Sequence, residues 1–509
     1  MCEYIMRSEM HSIEKFALIA ATILSVNCQH NPNFRGDRRA IVQLFEWKFA
    51  DIARECETFL SKNNFAAVQI SPVNENIIIK DRPWWERLQP LSYKILSRSG
   101  NVHEFFDMTQ RCNKVDILVY VEIVINHMAA PQSVVIGTAG STATHRNYPS
   151  VGYETEDFHK PCRITNYFDA HEVRNCELEN MPDLNHASPF VRGKIASLMN
   201  FLIDLGAAGF RVSHCKHMWP NDLRDIYKAL RNLREDFGFE PGARPFIIQE
   251  VLDYGEEPIS RTEYASFGLV TEFLYAREVS RIILGRSNVS ELIKLGPELG
   301  YLNSDDALVF VDDQDSQRGY SDTLNRCLNY KSREKYIMAN AFMLAYPYGT
   351  IRLMSSYNFS YDIANDGPPM DKDENILSSV DETGNCQNGW ICEHRWAPIV
   401  ELIKFRISVF GTEMTKSEIY EPDTVGFCRE DKGFIMLSNT DFKCLMDKII
   451  FVCLPEGEYC DVIRGYDDDG NCLSVIEVDS SRSAVLIKSE DVNTNGVIAF
   501  HSGSRIENI

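Results

Sequence analysis

Short runs of apolar residues recur along the chain, and stretches whose apolar positions follow a helical spacing separate them. Strands buried on both faces of a parallel sheet read as continuous apolar runs of this kind. Strands that alternate with helices eight times are typical of an α/β protein with a closed (β/α)8, or TIM, barrel, which is the fold class we predict. The predicted strands are residues 40–45, 65–70, 117–125, 209–212, 245–248, 268–272, 307–311 and 349–353.

Two stretches depart from this alternation. Residues 128–188, between the third and fourth predicted strands, are polar and contain cysteine, and they are too long for an ordinary connection. We therefore expect a small inserted domain there. From residue 409 onward helical periodicity stops and short apolar runs predict a C-terminal antiparallel β-sandwich at 409–509. The barrel would then consist of residues 29–127 and 189–408.

The first 28 residues have the pattern of a secretion signal. Arg7 and Lys15 precede an apolar run at 16–26, and a polar stretch follows it at once. The run is too short to span a bilayer but suits the core of a signal peptide. We predict that residues 1–28 are a signal peptide and that the protein is secreted and extracellular. No later apolar run is long enough to cross a membrane, so we expect no membrane partner.

Composition narrows the range of partners. The net charge of -21 argues against binding to nucleic acids or anionic membranes, whereas neutral ligands are not penalised. We expect a monomer. The chain has 15 cysteines, which suits an oxidising compartment. Loss of Cys2 and Cys28 with the signal would leave an odd number, so at least one thiol would be free or bridged to another molecule.

In a barrel of this type the chemistry lies at the carboxyl ends of the strands. Strict alternation along the fourth predicted strand places Arg211 and Ser213 on the same side, facing the barrel interior. Glu250 and Asp315, which follow two other strands, suit glycoside hydrolysis, because that reaction needs a proton donor and a further carboxyl group. Taken alone, these two residues could equally be ion-paired or solvated groups at the barrel mouth.

One segment carries a specific resemblance. Residues 209–220, GFRVSHCKHMWP, resemble the end of the fourth barrel strand in animal-type α-amylases, and further blocks match in family order at 44–47, 71–76, 82–87, 124–128, 246–251, 310–319 and 392–396. The resemblance extends from about residue 35 to the C-terminus. It implies a glycoside hydrolase that cleaves α-1,4-glucans such as starch and glycogen internally, by a retaining mechanism. At one position the chain departs from this pattern, because Ser213 stands where the family has its nucleophilic aspartate.

The same resemblance implies roles for other residues. Glu250 matches the general acid/base, and Asp315 matches the third carboxylate, which holds sugar hydroxyls. Leu88 replaces a family aromatic residue, and Tyr320 with a shortened loop replaces a family histidine. Substrate contacts are implied for Trp84, Trp85, Gln89, His127, Tyr167, Lys216 and Gln314. Gln314 replaces a family histidine. The two tryptophans and Tyr167 would be aromatic platforms for sugar rings. Tandem tryptophans otherwise serve more often in core or rim packing.

Two ion sites are also implied. Asn126, Asp183, His217 and the backbone carbonyl of Arg174 fall at the family's calcium positions, where oxygen ligands suit a hard cation and the histidine contributes its carbonyl. Arg211 and Arg352 match two arginines of a chloride site, but Asp313 replaces the asparagine beside them. A carboxylate between two guanidiniums can neutralise them through charge-assisted hydrogen bonds. We therefore expect weak or absent chloride activation.

The resemblance further implies four disulfide bridges. Two of these pairs are also close enough in sequence to be expected as local bridges, namely Cys386 with Cys392 and Cys460 with Cys472. A fifth family bridge has lost both halves, and Leu96 occupies one of them. The implied bridges are Cys56–Cys112, Cys162–Cys176, Cys386–Cys392 and Cys460–Cys472.

Ser213 decides between interpretations of the function. Losing a single catalytic residue costs ~10⁴–10⁶ in kcat in other enzymes, and this residue would form the covalent intermediate. His214 is expected to point to the other face of the strand, and Cys215 to be packed or bridged, so neither is a ready substitute. Three interpretations stay open: a hydrolase of low or altered activity, a non-catalytic α-glucan-binding protein, and a barrel kept as an interaction scaffold. We expect a protein that binds α-glucan and calcium and whose hydrolysis is impaired.

Overall fold

A computed structural model describes residues 29–131, 133–319, 328–360, 365–421, 423–440, 442, 449–479, 484–486 and 495–506. Eight parallel strands form a closed barrel in which each strand pairs with the next and the last pairs with the first. All eight predicted strands are present, which confirms the (β/α)8 fold class. The strands are β1 (Ala40–Leu44), β2 (Phe65–Ile70), β3 (Leu118–Ile123), β4 (Gly209–Val212), β5 (Phe246–Gln249), β6 (Leu269–Thr271), β7 (Ala307–Val309) and β8 (Thr350–Ser355).

Several helices of the described chain begin at a start signal in the sequence. Asn101 and Glu104 form a reciprocal capping box at the start of the second helix, which satisfies backbone N–H groups that have no partner within the helix. Three other helices carry proline in their first turn, where its missing N–H costs nothing. The helices are α1 (Phe49–Glu55), α2 (Val102–Lys114), α3 (Ala170–Val173), α4 (Pro189–Asp204), α5 (Pro220–Lys228), α6 (Phe273–Arg281), α7 (Arg333–Ala345) and α8 (Ala397–Ser408).

The segment between β3 and α4 has little regular structure. It contains a two-stranded hairpin of Val135–Ile136 with Thr142–Ala143 and the short helix α3. Backbone hydrogen bonds tie it to the end of β3, because the amide of Leu184 donates to the carbonyl of Asn126. The segment therefore lies against the carboxyl end of the barrel. The domain limits predicted at 128–188 and 409 stay predictions.

The C-terminal part is antiparallel, as the change in pattern predicted. A four-stranded sheet has the order β9, β10, β11, β16, and two further pairs, β12 with β15 and β13 with β14, lie outside it. Buried side chains such as Phe434, Ile450 and Phe500 form a core separate from that of the barrel. The strands are β9 (Met414–Glu421), β10 (Thr424–Arg429), β11 (Gly433–Ser438), β12 (Ile449–Phe451), β13 (Gly457–Cys460), β14 (Val475–Val478), β15 (Ala484–Leu486) and β16 (Val497–His501).

Disulfide bridges occur at all four predicted pairs. A fifth bridge, Cys428–Cys453, joins β10 to the end of β12 and was not predicted. Cys215 is the free cysteine of the described chain and is buried. Residues 1–28, which carry the predicted signal peptide, and Tyr320 lie outside the described residues. Within the described ranges, no helix is both long and apolar enough to cross a membrane.

Candidate active site

A cleft of about 580 Å³ opens at the carboxyl ends of the barrel strands. The loops that follow the strands bring side chains into it from β2, β4, β5 and β7 and from the segment before β4, which are far apart in sequence. Several of the predicted site residues meet here. Those that line the cleft are Trp84, Trp85, Gln89, Tyr167, Lys216, His217, Glu250 and Asp315, with His214 beside them.

Ser213 lies below the floor of this cleft. Its side chain is fully buried, and its Oγ lies 2.7 Å from Nη1 of Arg211 and 3.0 Å from Oε1 of Glu122. The contact with Arg211 confirms that the two residues face the same side of β4. Ser213 is therefore a buried hydrogen-bonding group between a guanidinium and a carboxyl group, and no histidine among the described residues contacts it as a base would.

Arg211 joins two carboxyl groups. Its Nη1 lies 2.7 Å from Oε1 of Glu122, and its Nη2 lies 2.6 Å from Oε1 of Glu250. Burial would lower the pKa of Arg211, but the charges of Glu250 and Glu122 outweigh that effect and raise it. The second carboxyl oxygen of Glu250 accepts a hydrogen bond of 2.7 Å from the backbone amide of His214. Both oxygens of Glu250 are thus engaged from within the protein.

Glu122 is the site residue that the sequence analysis missed. It lies inside β3, is 1% exposed and forms part of a strand that is otherwise apolar or aromatic. Burial raises the pKa of Glu122, and the charge of Arg211 opposes that rise. A lone carboxyl within a fully buried strand needs a cationic or hydrogen-bonding partner. That requirement was the signal in the sequence that could have identified Glu122.

Asp315 projects into the cleft beside Glu250. A carboxyl oxygen of each of Glu250, Asp313 and Asp315 lies within 4.8 Å of the others. Asp315 is half-buried, and its side chain receives no hydrogen bond from the described residues. Burial, together with the charges of Asp313 and Glu250, raises the pKa of Asp315 well above its usual value. Of the neighbouring pair Glu250 and Asp315, the first is thus tied to a guanidinium and the second has no cationic contact in the described structure.

The structure contradicts the expectation for His214 and agrees with the expectation for Cys215. The expectation that His214 points away from the site is wrong, because its backbone has φ 59° and leaves the strand. Its ring lines the cleft with Nδ1 3.7 Å from Oε2 of Glu250. Burial lowers the pKa of His214 to about 3. Cys215 is packed as expected, with its Sγ 3.9 Å from the hydroxyl of Tyr227, and burial raises the pKa of its thiol.

Two predicted substrate contacts lie below the cleft surface instead. His127 is fully buried, and its Nε2 lies 3.0 Å from the carbonyl oxygen of Leu88. Gln314 is also buried, and its amide lies between Gln43, which donates to it at 2.8 Å, and Glu122, to which it donates at 3.3 Å. Internal partners occupy the polar atoms of both side chains. Neither side chain lines the cleft of the described structure, and their roles as substrate contacts stay predictions.

The remaining predicted contacts face the cleft but have protein partners. Lys216 forms an ion pair with Glu257, and its Nζ lies 5.4 Å from the ring centroid of Tyr167. The indole N–H of Trp85 donates to Asn365 at 3.0 Å, and Trp84 is largely buried. Of the three predicted platforms, Trp85 and Tyr167 therefore present the larger exposed surfaces.

The predicted calcium positions contain oxygen atoms without partners. Oδ1 of Asn126 and Oδ1 of Asp183 are both buried and accept no hydrogen bond within the described structure. Nδ1 of the His217 ring donates to the carbonyl of Val173, 3.0 Å away, so this residue would contribute its own carbonyl. Burial raises the pKa of Asp183 to about 7. Oxygen donors of this kind suit a hard cation, and the residues present fit calcium.

At the predicted chloride positions Asp313 pairs with one arginine. Its Oδ2 lies 3.8 Å from Nη2 of Arg352, and both side chains are fully buried. Arg352 also donates from Nη1 to Gln69 at 3.2 Å. Arg211 is engaged by Glu122 and Glu250 instead. The carboxylate of Asp313 thus lies where an anion would have to bind, although its direct contact is with Arg352.

Comparisons with known proteins agree with this geometry. A family model described as the catalytic domain of α-amylase matches residues 62–241. An α-amylase-related protein of Drosophila lini is 46% identical over 503 residues, which is 97% of this chain and all of the relative, and that of Drosophila ananassae is 45% identical over 501. The crystal structure of α-amylase I from Eisenia fetida superposes with a TM-score of 0.86 at 35% identity, covering 92% of this chain and 98% of that one. A mutant of the Eisenia enzyme, at 34% identity, was solved as a complex with maltohexaose.

Proposed function

Because this chain belongs to the α-amylase family, we propose that it binds α-1,4-glucans such as starch and glycogen in its cleft and that it hydrolyses them weakly or not at all. The observation that carries this proposal is the contrast between the cleft and its floor. Aromatic and acidic side chains line the cleft, whereas the position of the nucleophile is a serine buried under Arg211.

Binding is supported by the exposed surfaces of the cleft. Trp85 and Tyr167 offer aromatic faces, on which sugar rings stack through their apolar faces. Asp315 offers a carboxyl group that no described residue engages, and such a group can accept hydrogen bonds from sugar hydroxyls. A mutant of the Eisenia enzyme was solved as a complex with maltohexaose, which supports an α-glucan as the ligand here. These features survive the loss of the nucleophile.

Impaired hydrolysis follows from the two groups that a retaining mechanism requires. The covalent step needs a carboxylate below the anomeric carbon, and Ser213 has neither the charge nor access to the cleft. The mechanism also needs a proton donor. Glu250 matches that role, but its Oε1 is held by Arg211 at 2.6 Å. A donor role for Glu250 would require this ion pair to open. Asp315 alone supplies one carboxyl group where the mechanism uses two.

Calcium belongs to the same proposal. The unpartnered oxygens of Asn126 and Asp183 and the carbonyls of Arg174 and His217 would hold the ion, which would join the segment before β4 to the end of β3. The ion would neutralise a buried carboxylate and fix the wall of the cleft that carries Tyr167. No chemical step is assigned to it.

We further propose that the protein is secreted and that the mature chain divides into three domains. Five disulfide bridges among the described residues support secretion, since such bridges persist in oxidising compartments. Residues 1–28 would be removed as a signal peptide, and the mature protein would be a monomer. It would consist of a barrel at 29–127 and 189–408, a calcium-associated insert at 128–188 and a C-terminal domain at 409–509.

The test measures binding and cleavage separately. Calorimetry with maltohexaose reports binding, and release of reducing sugar from soluble starch reports hydrolysis, both in the presence of calcium. We expect binding that Trp85→Ala weakens by about tenfold, because stacking on an indole face is lost. Trp396→Ala is the matched control, since Trp396 packs against Arg333 and Tyr336 away from the cleft. Absence of binding, or starch cleavage as fast as that of the Eisenia enzyme measured beside it, would refute the proposal.

A further inference from the structure

We propose that Asn288 carries an N-linked oligosaccharide and that this oligosaccharide covers the exposed edge strand β9 of the C-terminal sheet. The inference rests on the proposed secretion, because N-glycosylation takes place in secreted chains, and it does not depend on glucan binding. Asn288 is not among the residues that line the cleft. The modification would place a polar chain at the junction between the barrel and the C-terminal sheet.

Residues 288–290 meet the chemical requirement for N-glycosylation. The acceptor sequence is asparagine, then any residue other than proline, then serine or threonine, and Asn288, Val289 and Ser290 satisfy it. In the transfer, the amide nitrogen of Asn288 bonds to the anomeric carbon of an oligosaccharide, and the bond from that carbon to a lipid pyrophosphate breaks. The pyrophosphate leaves with the bonding electrons, and the amide nitrogen loses one proton. The secretory compartment supplies this lipid-linked donor.

The folded protein presents the asparagine at its surface. Asn288 is exposed, and its backbone is extended, with φ -68° and ψ 139°. It precedes the short 3₁₀ helix Val289–Lys294, but its side chain accepts no capping hydrogen bond from that helix. Val289 and Ser290 are buried and anchor the start of the helix. The side-chain amide of Asn288 is therefore accessible on a turn that is itself held in place.

The segment around Asn288 lies beside the C-terminal sheet. The carbonyl of Ile282, just after α6, accepts a hydrogen bond of 3.4 Å from the side chain of Asn439, which follows β11. The helix Val289–Lys294 contacts both β9 and β10. An oligosaccharide attached at the start of this helix is thereby held next to β9.

Strand β9 is the part of the sheet that needs cover. It is an edge strand, with β10 on one side and no further strand of the described chain on the other. Edge strands present unpaired backbone N–H and C=O groups that can pair with another molecule. Charges on Lys416 and Glu418 and two shifts of register against β10 discourage such pairing in part. Ile419, in the second half of β9, is nevertheless apolar and 51% exposed.

An oligosaccharide suits this surface for two reasons. It is bulky, so it keeps another molecule from reaching the edge of β9, and it is solubilising, so it stays hydrated beside exposed apolar side chains. Ile419 and Leu284, which is 38% exposed and lies four residues before Asn288, are the apolar side chains concerned. Pairing between two copies of this chain through β9 is the event that the oligosaccharide would prevent. Its removal should therefore produce a dimer.

The first experiment locates the modification. The full chain is produced in secreting animal cells, and its glycopeptides are mapped by mass spectrometry. We expect an oligosaccharide on Asn288 in the wild type and in Ser290→Thr, and a bare residue 288 in Asn288→Gln and Ser290→Ala. Asn358→Gln changes the other acceptor sequence, at 358–360, and should leave the modification of Asn288 unchanged. A bare Asn288 in the secreted wild type would overturn the inference.

The second experiment tests the cover over β9. In sedimentation velocity at one protein concentration, the glycosylated wild type should be a monomer, and Asn288→Gln should shift to a dimer. Addition of Ile419→Lys to Asn288→Gln should restore the monomer, because a charge on an edge strand opposes pairing. Enzymatic release of the oligosaccharide from the folded wild type gives the same comparison if a variant is not secreted. Monomers throughout, or a dimer that Ile419→Lys leaves intact, would overturn the inference.

The outcomes separate this inference from the proposed function. A version in which a signal peptide of known activity replaces residues 1–28 enters the secretory pathway whatever the native segment does. If only this version is secreted and Asn288 carries the oligosaccharide, the proposed signal peptide is wrong and the inference is right. If the native chain is secreted and binds maltohexaose while Asn288 is bare, the proposed function is right and the inference is wrong.

Discussion

The guanidinium of Arg211 lies 2.6 Å from the carboxyl group of Glu250. This contact crosses from β4 to the end of β5 and joins the residue predicted as the general acid/base to an arginine at a predicted chloride position. Asp315, which lies beside Glu250 in the cleft, has no guanidinium contact in the described structure. An ion pair between Arg211 and Glu250 therefore lies at the floor of the cleft. Substitutions at this pair and around it lead to the following predictions.

Arg211 should be essential for stability. Arg211→Met would leave Glu122 and Glu250 buried without their cation, and breaking buried pairs in this way costs about 3–5 kcal/mol. Denaturant unfolding measures the loss. Arg231→Met is the control, because its ion pair with Asp204 is exposed and should be worth less than about 1 kcal/mol. Equal costs for the two substitutions would contradict the structural assignment of Arg211.

Calcium should stabilise the fold through Asp183. Saturation at about 100 times the Kd contributes about 2.7 kcal/mol, so a chelator should lower the Tm of the wild type. Asp183→Asn removes the charged ligand and should abolish the difference between calcium and chelator. Asp222→Asn changes a carboxyl group paired with Arg192 and should preserve it. A chelator effect that survives Asp183→Asn would place the ion elsewhere.

Chloride should have little effect on the wild type, because Asp313 already supplies a negative charge beside Arg352. Differential scanning at equal ionic strength with chloride or gluconate tests this, and the two Tm values should agree. Asp313→Asn removes that charge and should create a chloride-dependent rise in Tm. Asp312→Asn is the matched control, since Asp312 is bonded to Gln317 and Tyr336. Marked chloride stabilisation of the wild type would show that the carboxylate does not block the site.

Glu393 should make stability depend on pH. Burial raises its pKa to about 7 although the amide of Ser356 donates to it at 2.7 Å. Because the folded pKa lies above the unfolded value, the stability that the protonated carboxyl contributes is complete below about pH 4.5 and lost as the pH rises to about 7. Glu393→Gln removes this loss. The free energy of unfolding of the variant, relative to that of the wild type, should therefore be higher at pH 8 than at pH 4.5 by up to about 3 kcal/mol. Urea unfolding of both proteins at the two pH values measures the difference, and a pH-independent effect would show that Glu393 is ionised throughout.

Local patterns in the sequence were sufficient where burial alone decides structure. Continuous apolar runs located all eight barrel strands, since a strand covered on both faces tolerates few polar residues. Alternation correctly placed Arg211 and Ser213 on one side of β4, and it failed one residue later. At His214 the backbone turns to φ 59°, so the rule for strands no longer applies and the ring enters the cleft.

By itself, the sequence determined the order of strands and helices, the family resemblance and the absence of a carboxylate at position 213. Only the tertiary structure decided which charges meet. Glu122, Arg211 and Glu250 lie 89 and 39 positions apart along the chain, and their contacts of 2.7 and 2.6 Å depend on strand register and on loops that turn several residues inward at once. Apolar patterns encode where each strand lies, whereas pairing between buried charges depends on distances of a few ångströms among side chains that no local pattern specifies.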